Sequence, residues 1–103
     1  KRLARGEIRP EARLDLHGMT FDDAINSLER FITQCVLSGK RCALIIHGKG
    51  RSSKEEHPLL KNVTNSWLKE NSLILAFHSA QQKDGGTGAV YVLLKAERKQ
   101  HEK

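Results

Sequence analysis

The chain has 103 residues, of which 38% are hydrophobic and 29% charged, a composition that suits one globular domain and excludes wholesale disorder. The 18 Lys and Arg residues outnumber the 12 Asp and Glu residues, and the net charge of +6 favours a polyanionic partner such as nucleic acid. No stretch approaches the roughly 20 apolar residues of a membrane span, and no signal peptide pattern is present, so we predict a cytoplasmic protein without a membrane partner.

The first part of the chain predicts an arm, a strand and a helix. Residues 1–12 carry charge without a sustained apolar period and are predicted to form a basic lead-in arm. Residues 13–17 alternate between polar and apolar, which predicts a short strand. Thr20 is the predicted N-cap of a helix whose apolar stripe continues to Val36, and Gly39 is its predicted stop.

The second part predicts three further strands and one helix. The continuous apolar run 42–46 is typical of a strand buried on both faces, as in a parallel sheet. Residues 47–57 are polar and predict a loop, and the second helix is expected to begin near Pro58 and to end near Asn71. The remaining elements are predicted as a strand at 73–77, a mobile loop at 81–88 and a strand at 89–94.

This order, β-α-β-α-β-β, predicts an α/β fold. Strand-helix-strand units favour parallel neighbouring strands, and the last two strands can pair as a long-looped hairpin. Cys35 falls in the helical stripe and Cys42 opens a strand, which favours reduced core thiols over a disulfide.

Asp15 and His17 form the first candidate site, at the end of the first predicted strand. Alternate residues of a strand share a face, so both side chains are expected on one side, roughly 6–7 Å apart along the chain. There Asp15 could orient His17 and raise its basicity, or act directly as the base. Alternatively, Asp15 caps or pairs locally and His17 satisfies a turn.

A second candidate site follows the buried strand. Glycines allow close approach of a phosphate and Lys49 supplies a cation, at the sheet edge where open α/β sheets bind ligands. We predict nucleic-acid contact at His47, Gly48, Lys49, Gly50 and Arg51. Alternatively, the glycines form only a turn. The P-loop spacing is absent, which argues against an ATP-dependent mechanism.

A third glycine-rich loop precedes the last predicted strand. Its three glycines and one hydroxyl could form an anion-binding nest, which adds Gly85, Gly86, Thr87 and Gly88 to the predicted nucleic-acid-binding residues. Alternatively, the loop is only the bend that returns the chain to the sheet.

The loops after two parallel strands emerge at the same edge of a sheet, so His17 and His47 are expected to be neighbours. With Asp15 they would form an open metal-binding set. No EF-hand, HExxH or paired-cysteine pattern independently indicates a metal, so no metal ligand is predicted.

Residues 14–18, 45–50 and 85–89 resemble the three successive signature motifs of the small MutS-related (Smr) domain family. The resemblance spans about residues 13–95, which are interpreted as an Smr-like endonuclease domain followed by a basic tail at 96–103. The lead-in and the closing basic tail resemble the compact stand-alone bacterial members more than the copies fused to a MutS-like ATPase.

The resemblance implies a two-layer α/β sandwich with a four-stranded mixed sheet, similar to the C-terminal domain of translation initiation factor three. Members are reported as endonucleases that nick DNA or cut RNA, including messenger RNA on stalled ribosomes. Carried over, the first motif makes Asp15 and His17 the catalytic pair. The second would place contacts to nucleic acid, or a further part in catalysis, at His47, Lys49 and the intervening glycines.

We therefore predict an endonuclease in which Asp15 and His17 transfer protons, while Lys49 and backbone N–H groups of the two glycine loops stabilise the transition state. RNA cleavage by the 2′-hydroxyl needs no cofactor, whereas water attack on DNA would be assisted by Mg²⁺. The chemistry favours RNA, and the resemblance leaves DNA nicking equally open.

The alternative is a non-catalytic module that binds structured or branched nucleic acid or the ribosome. The aromatic residues fall mostly at predicted core positions, so recognition by backbone or shape is expected rather than base stacking. We expect a monomer.

Overall fold

The computed structural model describes residues 9–48 and 60–96. These residues form two helices and one four-stranded mixed sheet, which confirms the predicted α/β class. In chain order the elements are β1 (Ala12–Asp15), α1 (Phe21–Leu37), β2 (Cys42–Ile46), α2 (Leu60–Glu70), β3 (Ile74–Ser79) and β4 (Ala89–Leu94).

The ends of α1 follow its sequence signals. The Thr20 hydroxyl accepts the backbone N–H of Asp23 at 3.1 Å, as an N-cap does. At the other end, Gly39 adopts a φ of 79°, and the N–H of Lys40 reaches back to the carbonyl of Cys35 at 2.9 Å. Both predicted boundaries are confirmed. No helix in the described ranges is long and apolar enough to cross a membrane.

The strand order is β1-β2-β4-β3. The prediction of parallel neighbours is right for β1 and β2, and the predicted hairpin of β3 with β4 is also present. The prediction that β2 and β3 are neighbours is wrong, because β4 lies between them and pairs antiparallel with both. Burial agrees with this strand order: five of the six β4 residues are buried and fit the centre of a sheet, whereas four of the six β3 residues are exposed and fit an edge.

Both ends of β1 and of β3 differ from the prediction: β1 begins at Ala12 instead of residue 13, and β3 ends at Ser79 instead of residue 77. Strand β1 ends at Asp15 instead of continuing to His17, because the Asp15 carboxylate accepts the N–H of His17 and turns the chain. Strand β3 begins after Leu73, whose N–H is taken at 2.8 Å by the side chain of Asn71. The loop predicted at 81–88 contains two short 3₁₀ turns, and the predicted helix start at Pro58 lies outside the described residues.

Each face of the sheet carries a cluster of buried side chains, and the two clusters are covered by different means. The helices pack on one face against Leu16, Ile45 and the alternate β4 residues. The opposite face, called here the open face, carries a second cluster built from Cys42, Leu44, Ala80, Ala89 and Tyr91. Loop 81–88 folds over this cluster, since the hydroxyl of the fully buried Tyr91 donates to Asp84 at 2.6 Å. Cys35 and Cys42 are buried free thiols, as predicted.

A carboxylate fixes the register of β1 beside β2. One oxygen of Glu11 accepts the backbone N–H groups of Arg41 at 2.6 Å and Cys42 at 3.3 Å. The N–H of Glu11 in turn donates to the carbonyl of Cys42 at 2.8 Å. The N–H groups of Arg41 and Cys42 lower the pKa of Glu11, so its carboxylate is ionised at neutral pH.

Candidate catalytic and nucleic-acid-binding site

The first and second candidate loops meet at one edge of the sheet. The pairing of β1 with β2 extends one residue past the strand, through a 2.7 Å hydrogen bond from the Leu16 N–H to the Ile46 carbonyl. A side-chain carbon built onto Gly48 would lie 3.5 Å from the Cβ of His17. The two loops therefore lie side by side, as predicted, and Gly48 is a close neighbour of His17.

The third loop is tied to the second by a shared acceptor. The carbonyl of Gly88 accepts the N–H groups of both His47 and Gly48, each at 3.0 Å. This contact brings the loop before β4 to the same sheet edge as the loops after β1 and β2. All three predicted loops thus contribute described residues to one region.

Asp15 and His17 are in direct contact there. The same oxygen of Asp15 accepts the backbone N–H of His17 at 3.0 Å and lies 2.7 Å from its ring Nδ1. The contact arises in the turn after β1, not along a strand as predicted, so the local pairing that the sequence left open is what occurs. A carboxylate–imidazole contact of this kind is also the geometry that orients a histidine in acid-base catalysis, so it fits both interpretations of the sequence.

The protonation states of the pair follow from its geometry. The two hydrogen bonds from His17 lower the pKa of Asp15 from its ordinary value of 3.8, so the carboxylate is ionised at neutral pH. Facing a carboxylate, Nδ1 of His17 acts as the donor and Nε2 is left to exchange protons. The His17 side chain is 71% exposed and that of Asp15 44%, so a polymeric substrate can reach them.

His47 differs from His17 in burial and role. It is 5% exposed, and its Nδ1 donates to the carbonyl of Gly48 at 2.9 Å. Burial lowers the pKa of His47 from its ordinary value of 6.5, so the ring is neutral at neutral pH. Two of its hydrogen bonds hold the second and third loops in shape, which is a structural contribution to the site.

The third loop has most of its amide groups engaged internally. The N–H of Gly86 donates to the carbonyl of Gln81 at 2.9 Å, that of Gly85 to Gln82 at 3.2 Å, and that of Gly88 to Gly85 at 3.0 Å. An anion-binding nest needs these donors free, so the structure favours a shaping role for these glycines. The Gly48 amide is occupied in the same way. Thr87 is exposed.

Comparison with known proteins identifies the family of the chain. Residues 14–95 match the Smr domain family. The chain belongs to this family. It is 42% identical over 94 residues to the ribosome rescue factor SmrB of Vibrio vulnificus strain CMCP6, covering 91% of this chain and 50% of that protein. It is 38% identical over 97 residues to SmrB of Yersinia enterocolitica, covering 94% and 52%. The chain thus spans about half the length of these relatives.

Solved Smr structures share the fold. YdaL, a stand-alone small MutS-related protein from Escherichia coli, matches with a TM-score of 0.79 and 33% identity, over 91% of this chain and 72% of that one. The Smr domain of Thermus thermophilus MutS2 matches with a TM-score of 0.71 at 23% identity, over 82% and 98%. The second match supports the fold alone.

The predicted site of this Smr domain extends beyond the described residues. Lys49, Gly50 and Arg51 lie outside the described residues. Within residues 9–48 and 60–96, no group of three or more His, Cys, Asp and Glu side chains is arranged to hold a metal ion.

The structure adds residues that the sequence prediction omitted. Arg13, Lys83 and Asp84 line a cavity beside the three loops, on the open face of the Smr sheet. The β1 alternation could have indicated Arg13, because it shares a face with Asp15. The contact of Asp84 with Tyr91 carries no local signal, since it depends on how loop 81–88 folds over the sheet.

Acid is expected to destabilise this Smr domain through His47. Its pKa is lower in the folded state than in the unfolded chain, so the unfolded state binds the additional proton and stability falls as pH drops below about 6.5. Replacing His47 with Asn removes the titrating ring and keeps a donor toward the Gly48 carbonyl. Urea denaturation from pH 7.5 to 5 should show a flatter stability profile for His47→Asn than for the parent chain.

His78→Asn is the matched control, because the exposed His78 has the same local geometry, with Nδ1 3.0 Å from the Ser79 carbonyl. It measures what the loss of an exposed histidine with the same contact does to the profile, and the flattening in His47→Asn should exceed it. An unchanged slope in His47→Asn would show that other groups cause the acid sensitivity.

Proposed function

We propose that this Smr domain is an endonuclease that cuts RNA, with Asp15 and His17 as its proton-transfer pair. The observation that carries the proposal is the 2.7 Å contact between the Asp15 carboxylate and Nδ1 of a largely exposed His17. Gly48 of the second loop lies next to His17, since an added Cβ there would come 3.5 Å from the Cβ of His17. Residues 13–95 form the proposed catalytic domain, acting as a cytoplasmic monomer.

The pair suits cleavage by the ribose 2′-hydroxyl. Nε2 of His17 takes the 2′-hydroxyl proton, and Asp15 stabilises the imidazolium that forms. The 2′-oxygen then attacks phosphorus as the bond to the 5′-oxygen breaks, which yields a 2′,3′-cyclic phosphate. The leaving 5′-oxygen takes a proton from water, and the hydroxide that remains takes the proton of the His17 imidazolium, which restores the neutral ring. The open site supplies that water. Cleavage of DNA lacks the internal nucleophile and would require an attacking water, which Mg²⁺ would assist.

Basic residues supply the attraction for the substrate. The net charge of +6 favours a polyanion, and Arg13 and Lys83 lie at the cavity beside the pair. Lys49 and Arg51, which follow His47 in the chain, are proposed to add phosphate contacts and to stabilise charge on the phosphorus. Most described glycine amides are occupied, so side-chain cations carry this role in the proposal.

The second candidate function is a module that binds the ribosome or its RNA without cutting. The observation in its favour is that the similar proteins from Vibrio vulnificus and Yersinia enterocolitica are called ribosome rescue factors. These relatives are about twice as long as the matched region, so ribosome contact could also involve their other half. The two functions are compatible if the domain cuts RNA held at a ribosome.

The deciding experiment compares single-stranded RNA with supercoiled DNA, each in magnesium and in EDTA. We expect cutting of RNA in both buffers, with 2′,3′-cyclic phosphate and 5′-hydroxyl ends. Cutting of DNA in magnesium alone would contradict the RNA proposal and favour a metal-assisted nickase. If neither is cut, salt-sensitive co-sedimentation with ribosomes would favour the binding module.

A further inference from the structure

A cavity of about 410 Å³ opens on the face of the sheet that carries no helix. Its volume falls in the range of small-molecule sites, roughly 300–1,000 Å³. Leu44 and Ile46 of β2 supply an apolar floor. The remaining lining comes from three glycines of the candidate loops and three charged residues: Gly48, Gly85, Gly88, Arg13, Lys83 and Asp84.

The cavity adjoins the Asp15–His17 pair. Arg13 and Asp15 alternate along β1, so they share the open face, and they pair in register with Leu44 and Ile46 of the cavity floor. Gly48, which lines the cavity, is also the close neighbour of His17. A phosphodiester held at the pair would therefore place an adjacent nucleotide at the cavity mouth.

The charged residues that line the cavity include two cations and one carboxylate. Arg13 and Lys83 are exposed cations that suit phosphates. Asp84 is half-buried and oriented by the Tyr91 hydroxyl, which donates to its Oδ2 at 2.6 Å and accepts the Gln81 N–H at 3.2 Å. Burial and the Asp84 carboxylate raise the pKa of Tyr91, so the hydroxyl stays a donor. The other Asp84 oxygen is left to accept hydrogen bonds from a ligand.

We infer that the cavity binds one unstacked nucleobase of the strand whose phosphodiester lies at Asp15 and His17. The base rests on Leu44 and Ile46, and Asp84 accepts hydrogen bonds from its edge. A carboxylate recognises amino groups, so guanine, adenine and cytosine are favoured over uracil. This inference rests on the proposed function, to which it adds a base preference. It also revises the expectation of recognition by backbone and shape, because an aliphatic floor replaces aromatic stacking.

Binding of nucleotides can be measured without cleavage. The methyl groups of Leu44 and Ile46 are followed by NMR during titration with GMP, AMP, CMP, UMP and, as a probe without a base, ribose 5-phosphate. We expect the three amino-bearing nucleotides to shift these signals, UMP to do so more weakly and ribose 5-phosphate to leave them unchanged. Equal shifts from GMP and ribose 5-phosphate would overturn the inference, because a site for phosphate alone would explain them.

Asp84→Asn tests the recognising group. The amide keeps the size of the side chain and removes a negative charge, which by itself should strengthen binding of a phosphate. GMP should nevertheless bind roughly tenfold more weakly, with reduced preference over UMP, because the charged acceptor is lost. Glu29→Gln makes the same change at an exposed position on α1 and should leave the titrations unchanged. If Asp84→Asn kept the full preference for GMP over UMP, Asp84 would not be the residue that recognises the base.

Cleavage assays then test whether the base bound in the cavity is adjacent in the RNA to the bond that is cut. In RNAs carrying one abasic ribose each, cutting of the bond next to the abasic position should fall roughly tenfold, since the apolar burial of that base is lost. Cutting indifferent to abasic sites would overturn the inference and leave the endonuclease proposal intact. Base-dependent methyl shifts without cleavage of any RNA would support the base site and contradict the endonuclease proposal.

Discussion

Asp15→Asn is expected to reduce RNA cleavage by about 10²–10⁴-fold. The amide oxygen can still accept both hydrogen bonds from His17, so the turn after β1 should persist. What disappears is the negative charge that stabilises the imidazolium when His17 takes up a proton. Affinity for RNA should stay the same or rise slightly, because an anion near the phosphate is removed. Single-turnover cleavage and equilibrium binding measure the two effects separately.

Asp22→Asn is the control for Asp15→Asn, since it removes an exposed carboxylate from the first turn of α1. It should cut RNA at the parent rate. Wild-type cleavage by Asp15→Asn would remove Asp15 from the mechanism. A parallel loss of binding and cleavage would instead assign it to substrate binding, in favour of the non-catalytic module.

Gly85→Ala is expected to destabilise the fold by about 2–5 kcal/mol, combining backbone strain with overpacking. Gly85 adopts a φ of 120°, which side-chain-bearing residues rarely accept, and an added Cβ would lie 2.9 Å from the Cβ of Ala89. Ala89 is buried at the start of β4 and cannot move aside without disturbing the sheet. Urea denaturation provides the measurement.

Gly39→Ala is the control that separates the backbone strain in Gly85→Ala from the steric contact with Ala89. Gly39 also has a positive φ, of 79°, but apart from its chain neighbours no atom of residues 9–48 and 60–96 lies within 4 Å of an added Cβ. Gly39→Ala should therefore lower the free energy of unfolding by only about 1–2 kcal/mol, the cost of the left-handed backbone conformation. If both substitutions cost the same, loop 81–88 yields to the added methyl and does not hold the site as rigidly as its contacts indicate.

Local patterns predicted much of the fold. Thr20 and Gly39 set the limits of α1 through contacts within a few residues, and the apolar run 42–46 became the buried strand β2. Caps and periodic stripes depend on near neighbours, so one sequence is enough to identify them. The same holds for Asp15 and His17, which are two residues apart and meet in a single turn.

Strand order and the open face required tertiary structure. Strand β4 lies between β2 and β3 because its residues can be buried on both sides, a preference that is expressed only when strands compete for the centre of a sheet. The occupied amides of loop 81–88 and the contact of Asp84 with Tyr91 depend on the same folding of the loop over the sheet. The sequence by itself therefore determined the elements and the Asp15–His17 pair. Only the tertiary structure decided the cavity beside that pair, because non-local packing forms it.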